Sequence, residues 1–266
     1  MRRYVIRLQA ANMRCEVRIN DIPVALVAPG ESAGPIDVPV NEFVIPGSNV
    51  MAVTANANPL PSRVREPWAG PAESGVQAGA PARLTARLFA EEGHKPVGWF
   101  TPVDIAWAGP AAPNPVTQEK AFNVGDSSHA WGWTRAAVLN PATAAADAHP
   151  ILVHLHRLLQ AGDIGGLATV LQAKLQEVTA DAYDIAAGPM ANALRQQLQA
   201  CMQSPEWTLL PVDRPQVDLR LVAGRRLVEC LRPNGTPALT YVSQDEEEFS
   251  LPVMLGVLDG RWAVLR

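Results

Sequence analysis

From Val17 to Thr54, apolar residues alternate in short runs broken by Asn20-Asp21, Pro29-Gly30, Gly34-Pro35 and Pro46-Gly47. A period of two punctuated by turn formers predicts short antiparallel strands joined by tight turns. Strands are expected at Arg3–Leu8, Cys15–Ile19, Ile22–Val27, Ile36–Val40, Glu42–Ile45 and Asn49–Thr54. The segment Asn56–Pro81 is rich in Pro, Gly, Ala and Ser and reads as a long loop, because Pro removes ladder donors and Gly weakens regular structure. Arg83–Glu91 then sets Leu84, Ala86 and Leu88 against Thr85 and Arg87, another strand. Gly98–Trp107, Gln118–Phe122 and Ala130–Arg135 extend the pattern. The last of these carries Trp131 and Trp133 on one face.

The period then changes. Residues 141–149 read as an Ala-rich linker between a β domain over 1–140 and an α+β domain over 150–266. Pro150 suits a first helical position, where its missing N–H costs nothing, with Asp147 or His149 as cap. Ile151, Leu152, Leu155, Leu158 and Leu159 fall at helical spacing, and Gly162-Asp163 ends that helix. Asp163 is placed to cap a second helix with Leu167, Val170, Leu171, Leu175 and Val178 inward. Pro189 opens a third, with Leu194, Leu198, Cys201 and Met202 inward. After Trp207 the period returns to two, with turns at Ala223-Gly224, Asn234-Gly235 and Asp259-Gly260. The expected fold class is multi-domain: an all-β sandwich, then three helices followed by a curved antiparallel sheet, with no helix ahead of residue 140.

Asn20-Asp21, and Pro46-Gly47-Ser48-Asn49-Val50-Met51-Ala52-Val53, resemble the early turn and late strand of galactose-binding-like β-sandwiches attached to many glycoside hydrolases. In that family such residues mostly shape turns, so the resemblance implies a fold and not sugar binding. The order of elements from His149 onward, with Leu258-Asp259-Gly260-Arg261-Trp262 near the end, resembles the NTF2-like fold. The chain departs from that pattern, since Asp181–Pro189 is too short for the strand pair usually found between the second and third helices. NTF2-like proteins include enzymes, binding proteins and dimerisation modules, so the likeness leaves function open.

Composition narrows the field. The chain has 266 residues, 48% of them apolar, enough for buried cores. A net charge of −4 argues against a general nucleic-acid binder; Arg2, Arg3 and Arg7 read as a solvated edge. Three scattered cysteines, Cys15, Cys201 and Cys230, form no CxxC pair and no disulfide framework. Buried thiols in a reducing compartment are expected. Arg7 and Gln9 interrupt the first apolar stretch, which reads as a strand and not a signal peptide. No apolar run is long enough to span a membrane. A cytoplasmic protein follows as the expectation, and the Ala-, Pro- and Arg-rich composition suits a GC-rich bacterial genome. No G-x-S-x-G, P-loop, G-x-G-x-x-G or H-E-x-x-H occurs, so no cofactor and no metal is expected.

Two sets of residues carry candidate chemistry. With two-residue turns, Asp218 faces Glu229 and Glu229 faces Thr240, with Arg220 on the same face. Paired carboxylates raise each other's pKa and provide acid/base chemistry, whereas a wet outer face with a surface ion pair is the plainer reading. Asp218, Glu229 and Arg220 are therefore the catalytic candidates of an enzyme reading in an NTF2-like pocket. His154 and His156 stand two apart on a helix and cannot chelate one metal; His94 and His129 sit alone. The aromatics Trp99, Phe100, Trp107, Trp131 and Trp133 make either a core or an exposed stacking surface. Trp68, alone in the Pro/Gly loop, is a candidate contact, and Trp131 and Trp133 join it if exposed. The leading expectation is a non-catalytic binding or protein-interaction role, with a protein or small-molecule partner. Carbohydrate binding through exposed Trp is the third reading. Neither nucleic acid nor membrane is an expected partner, and the C-terminal sheet is the surface expected to pair two copies as a homodimer.

Overall fold

A computed structural model of the chain describes residues 2–11, 13, 15–27, 33–55, 82–93, 95–109, 116–125, 131–178 and 187–266. The chain divides into two compact units, Met1–Ala130 and Trp131–Arg266. Among the described residues no helix is long and apolar enough to cross a membrane. Trp68, His94 and His129 lie outside the described residues.

The first unit consists of two antiparallel sheets. One is built on β1 (Arg2–Ala11), flanked by β4 (Ala33–Pro39) and β6 (Ala82–Glu92), with β7 (Lys95–Pro96) and β8 (Val103–Gly109) both pairing with β6. The other runs β3 (Ile22–Val27), β2 (Cys15–Ile19), β5 (Gly47–Ala55), β9 (Val116–Val124). Alternation does what the sequence predicts: in β6, Leu84, Ala86, Leu88 and Ala90 are buried while Arg83, Thr85 and Arg87 are exposed. Together with Ile6 and Leu8 of β1, Val17 and Ile19 of β2, and Met51 and Val53 of β5, they form a single hydrophobic cluster fed by both sheets. Each fully buried Ile, Leu or Met there contributes roughly 1.5–3 kcal/mol.

One expected strand is absent. Glu42–Ile45 begins in a 3-10 turn, Asn41–Phe43. The buried Asn41 side chain takes the backbone N–H of Tyr4 at 2.6 Å, just beyond the point where Val40 donates to the Tyr4 carbonyl at 2.9 Å. The ladder thus finishes on a side chain, and the backbone is free to turn. At Asn20-Asp21 both residues have positive φ, 52° and 64°, as a type I′ hairpin requires. The Asn20 amide also ties two distant turns together. It donates to Phe43 O and Asn49 Oδ1, both at 2.8 Å, and accepts from Val50 N at 3.0 Å.

The second unit begins with a single helical turn, α1 (Gly132–Arg135), where the sequence predicts a strand. Trp131 and Trp133 therefore belong to this unit and not to the β unit. Next come α2 (Ala144–Gln160), α3 (Ile164–Gln176) and α4 (Ala187–Gln203). The expected linker is largely helix. Ala144 and Ala148 continue the buried stripe of Leu152, Leu155 and Leu159, so the Ala-rich run gains both good propensity and a packing partner. Pro150 thus lies inside the helix on its exposed side, and neither Asp147 nor His149 is the cap. Gly162 takes φ 69° and donates to Leu159 O while Asp163 N donates to Leu158 O, closing the helix in a Schellman motif. Asp163 caps α3 as expected, accepting from Gly166 N at 2.8 Å.

Strands β10 (Trp207–Leu209), β13 (Leu239–Ser243) and β14 (Glu248–Leu251) form one sheet. Strands β11 (Asp218–Val222), β12 (Leu227–Leu231), β15 (Met254–Leu258) and β16 (Arg261–Val264) form another. Leu219, Val228, Cys230 and Leu255 of the latter cluster with Leu152, Leu155 and Leu171 of the helices. Asp259-Gly260 is a type I′ turn with φ 51° and 75°. Asn234-Gly235 is not: only Gly235, at 92°, has positive φ, and Asn234 Oδ1 instead accepts from Thr236 N at 3.1 Å.

Candidate functional site

The carboxylates chosen from sequence do not meet in the expected register. The β11–β12 connection is not Ala223-Gly224 alone. Ala223, Gly224 and Arg225 all take positive φ, and Val222 pairs with Leu227, so four residues make the turn. The ladder shifts by two: Arg220 faces Glu229, and Asp218 faces Leu231. Arg220 Nε donates to Glu229 Oε2 at 2.5 Å, with side chains only 3% and 10% exposed. Thr240 instead bonds Ser250 Oγ at 2.9 Å and donates to Pro237 O at 2.7 Å. The result is a buried ion pair in place of a carboxylate pair, and the wet outer face expected from sequence is equally absent. A guanidinium this close commits the Glu229 carboxylate to accepting.

The tryptophans divide. Trp131 and Trp133 are 2% and 4% exposed, so neither offers a face to a ligand. Trp131 instead carries the Arg266 guanidinium 5.1 Å above its ring, and Arg266 in turn reaches Glu177 at 2.7 Å. That is structural packing, and local periodicity could not reveal it. His156 Nε2 sits 3.2 Å from Leu210 O and His149 Nε2 2.9 Å from Val212 O, so both hold α2 to the chain before β11. Burial lowers the His156 pKa, against the raising effect of its hydrogen bond to Leu210. All three cysteines are free and buried, and burial pushes the Cys15 thiol up to about 12. Among the described residues no cluster of His, Cys, Asp and Glu could hold a metal ion.

Trp99 is different. It is 47% exposed, one of few large apolar side chains so open among the described residues. It also packs on the core: its ring lies nearly perpendicular to Tyr4 at 6.4 Å and to Phe100 at 6.1 Å. Phe100 packs on Phe122 of β9 in the same manner at 6.1 Å, and Tyr4, Phe100 and Phe122 are all core residues. Such edge-to-face pairs contribute roughly 0.5–1.5 kcal/mol each beyond area burial.

Beside Trp99 opens a cleft of about 520 Å³, with Phe100 and Phe122 in its wall. One side is the loop into β8 and the other is β9, edge strands of the two different sheets. Thr101, Asp104, Lys120 and Asn123 supply its polar groups. Asp104 lies opposite Arg87 in the β6–β8 ladder, with the two charges 3.6 Å apart. Lys120 lies opposite Met51, and it shares the pleat face of Phe122 and Val124, yet it is exposed. Among the described residues no carboxylate pairs with it. An aromatic platform, an apolar wall and a few convergent polar groups are what small-molecule sites are made of.

In the sequence Trp99 is one aromatic among five, and Thr101, Asp104, Lys120 and Asn123 form no motif. The available signal is parity. In the strand ending at Phe122, a lysine two residues earlier occupies the core-facing side, which an ordinary sandwich strand does not place there.

No family model matches the chain, and neither does a curated protein or a solved structure.

Proposed function

We propose that the protein is a non-catalytic binding protein whose first unit, read as a galactose-binding-like β-sandwich, takes a carbohydrate in the Trp99 cleft. Under this reading the second unit is NTF2-like and acts as scaffold or partner surface. The observation that carries the reading is Trp99, exposed yet fixed by perpendicular rings, on the lip of a cleft with Thr101, Asp104, Lys120 and Asn123. A pyranose ring has one apolar C–H face and a rim of hydroxyls. The face suits an indole, and the rim suits a carboxylate, an amide and a hydroxyl. Preorganisation matters here, because a platform already held in place loses little entropy on binding.

The enzyme reading receives less support. Glu229 is engaged by Arg220, and Asp218 lies opposite an apolar residue.

The test is titration of the full chain with a panel of oligosaccharides, followed by calorimetry, for the wild type and Trp99→Ala. The reading expects at least one oligosaccharide to bind, and affinity to fall about tenfold or more in the variant, as for an anchoring aromatic. Trp107→Phe serves as control, since Trp107 packs against the core and does not line the cleft. Equal binding by wild type and Trp99→Ala, or no binding across the panel, overturns the proposal.

A further inference from the structure

We infer that the cleft selects an anionic sugar, a uronic acid or similarly charged saccharide, through Lys120; this rests on the carbohydrate reading above.

The cleft contains one acid and one base, Asp104 and Lys120. The acid already has a partner outside the cleft, since Arg87 stands across the ladder at 3.6 Å. The base has none among the described residues. The cleft therefore offers a ligand one uncommitted ammonium with three donors. A neutral sugar gives it only hydroxyl oxygens. A carboxylate completes a charge-assisted hydrogen bond, roughly twice as strong as a neutral one.

Position sharpens the point. Lys120 lies opposite Met51, on the side of β9 that also carries Phe122 and Val124. A strand residue facing inward is ordinarily apolar, because a charge there must be paired or hydrated. Lys120 is exposed, and it lines the cleft between β8 and β9, which leaves it open to solvent. Trp99, in the turn that leads into β8, and Lys120, on β9, thus line the same cavity from its two walls, a platform for the ring and a cation for its substituent.

Inward-pointing charges on edge strands also discourage edge-to-edge pairing of sheets. That role predicts self-association when the charge is removed, and no effect on ligand choice. The two roles separate by measurement.

The experiment compares an oligogalacturonate with the same oligosaccharide after methyl esterification, which removes charge and keeps the ring. With the wild-type full chain at low salt, the free acid is expected to bind about tenfold more tightly, the worth of one charge-assisted bond. That preference shrinks as salt is raised, because the site is exposed. Lys120→Gln should erase the preference and leave affinity for the ester within about twofold. Arg87→Gln, which strips Asp104 of its partner, should weaken the acid and spare the ester. Lys95→Gln, on β7 and outside the cleft, should change neither. If acid and ester bind alike in the wild type, the inference fails and the carbohydrate reading survives. If the preference persists in Lys120→Gln, it also fails. If neither form binds while another oligosaccharide does so through Trp99, charge selection is wrong for this cleft. Absence of all carbohydrate binding sinks both.

Discussion

Replacing Asn49 with alanine tests how the first unit fixes the register that builds the cleft. Asn49 is 1% exposed at the start of β5. Its Oδ1 accepts from Ile45 N and from Asn20 Nδ2, both at 2.8 Å. Its Nδ2 donates to Ile45 O at 2.8 Å and to Gly47 O at 3.0 Å. Alanine removes all four bonds. Gly47 is exposed, so its carbonyl finds water, and Asn20 keeps Phe43 O at 2.8 Å, so those two losses cost little. The two Ile45 groups are half-buried and lose their partner outright. At about 1 kcal/mol per bond for Ile45 and about 0.5 for each of the others, the total is about 3 kcal/mol. Urea unfolding of a chain with two compact units is fitted as two transitions. With a slope of about 2 kcal/mol per molar, the midpoint of the first unit should fall by about 1.5 M while that of the second stays. Hydrogen exchange of the β5 amides assigns the transitions. Asn49→Asp retains the acceptor but sets a charged oxygen against two carbonyls. It should be no better than alanine near neutrality and should recover as pH falls, when the protonated carboxyl regains a donor. A midpoint shift below about 0.3 M in Asn49→Ala would refute the reasoning, and the turns would then be set by backbone alone.

Two further outcomes bear on the second unit. Glu229→Leu should destabilise by about 3–5 kcal/mol, whereas the double variant Arg220→Met, Glu229→Leu should lie within about 1 kcal/mol of wild type in the same urea experiment; additive single effects would contradict a paired structural role. His156 has its pKa lowered by burial, so its share of stability is present above the ordinary value of 6.5 and is lost as pH falls through the lowered folded value. Asp213 opposes and Arg232 reinforces that lowering. His156→Gln should therefore flatten the fall in melting temperature between about pH 7.5 and about pH 5, and an unchanged slope would mean that other groups carry it.

What the sequence made legible was whatever depends on neighbours along the chain. The strand at Arg83–Glu91, the Asp163 cap and the turns at Asn20-Asp21 and Asp259-Gly260 are each settled within a few residues, and each is found where periodicity or turn chemistry puts it. The misses occur where a distant contact outweighs a local signal. Pro150 looks like a helix start, but Ala144 and Ala148 gain burial by extending the stripe backwards. Ala223-Gly224 looks like a two-residue turn, but the pairing of Val222 with Leu227 demands a longer one, and every pair in that ladder moves with it. Trp131 and Trp133 look like strand residues, but they sit at a turn of helix in the other unit.

The cleft was illegible for a related reason, and that reason bears on its use. Its two walls come from strands that do not pair with each other: β8 belongs to the sheet of β1 and β6, and β9 to the sheet of β2 and β5. Nothing in either strand's own pattern records the gap between them. Its consequences are a lysine on a core-facing pleat position and a tryptophan left half open against the buried rings of Tyr4 and Phe100. Each alone is an ordinary irregularity. An inward charge is tolerable only where water enters, and an exposed indole held by perpendicular rings is poorly explained by packing alone. The gap between two sheet edges meets both conditions in one place, and the proposed binding role makes use of both.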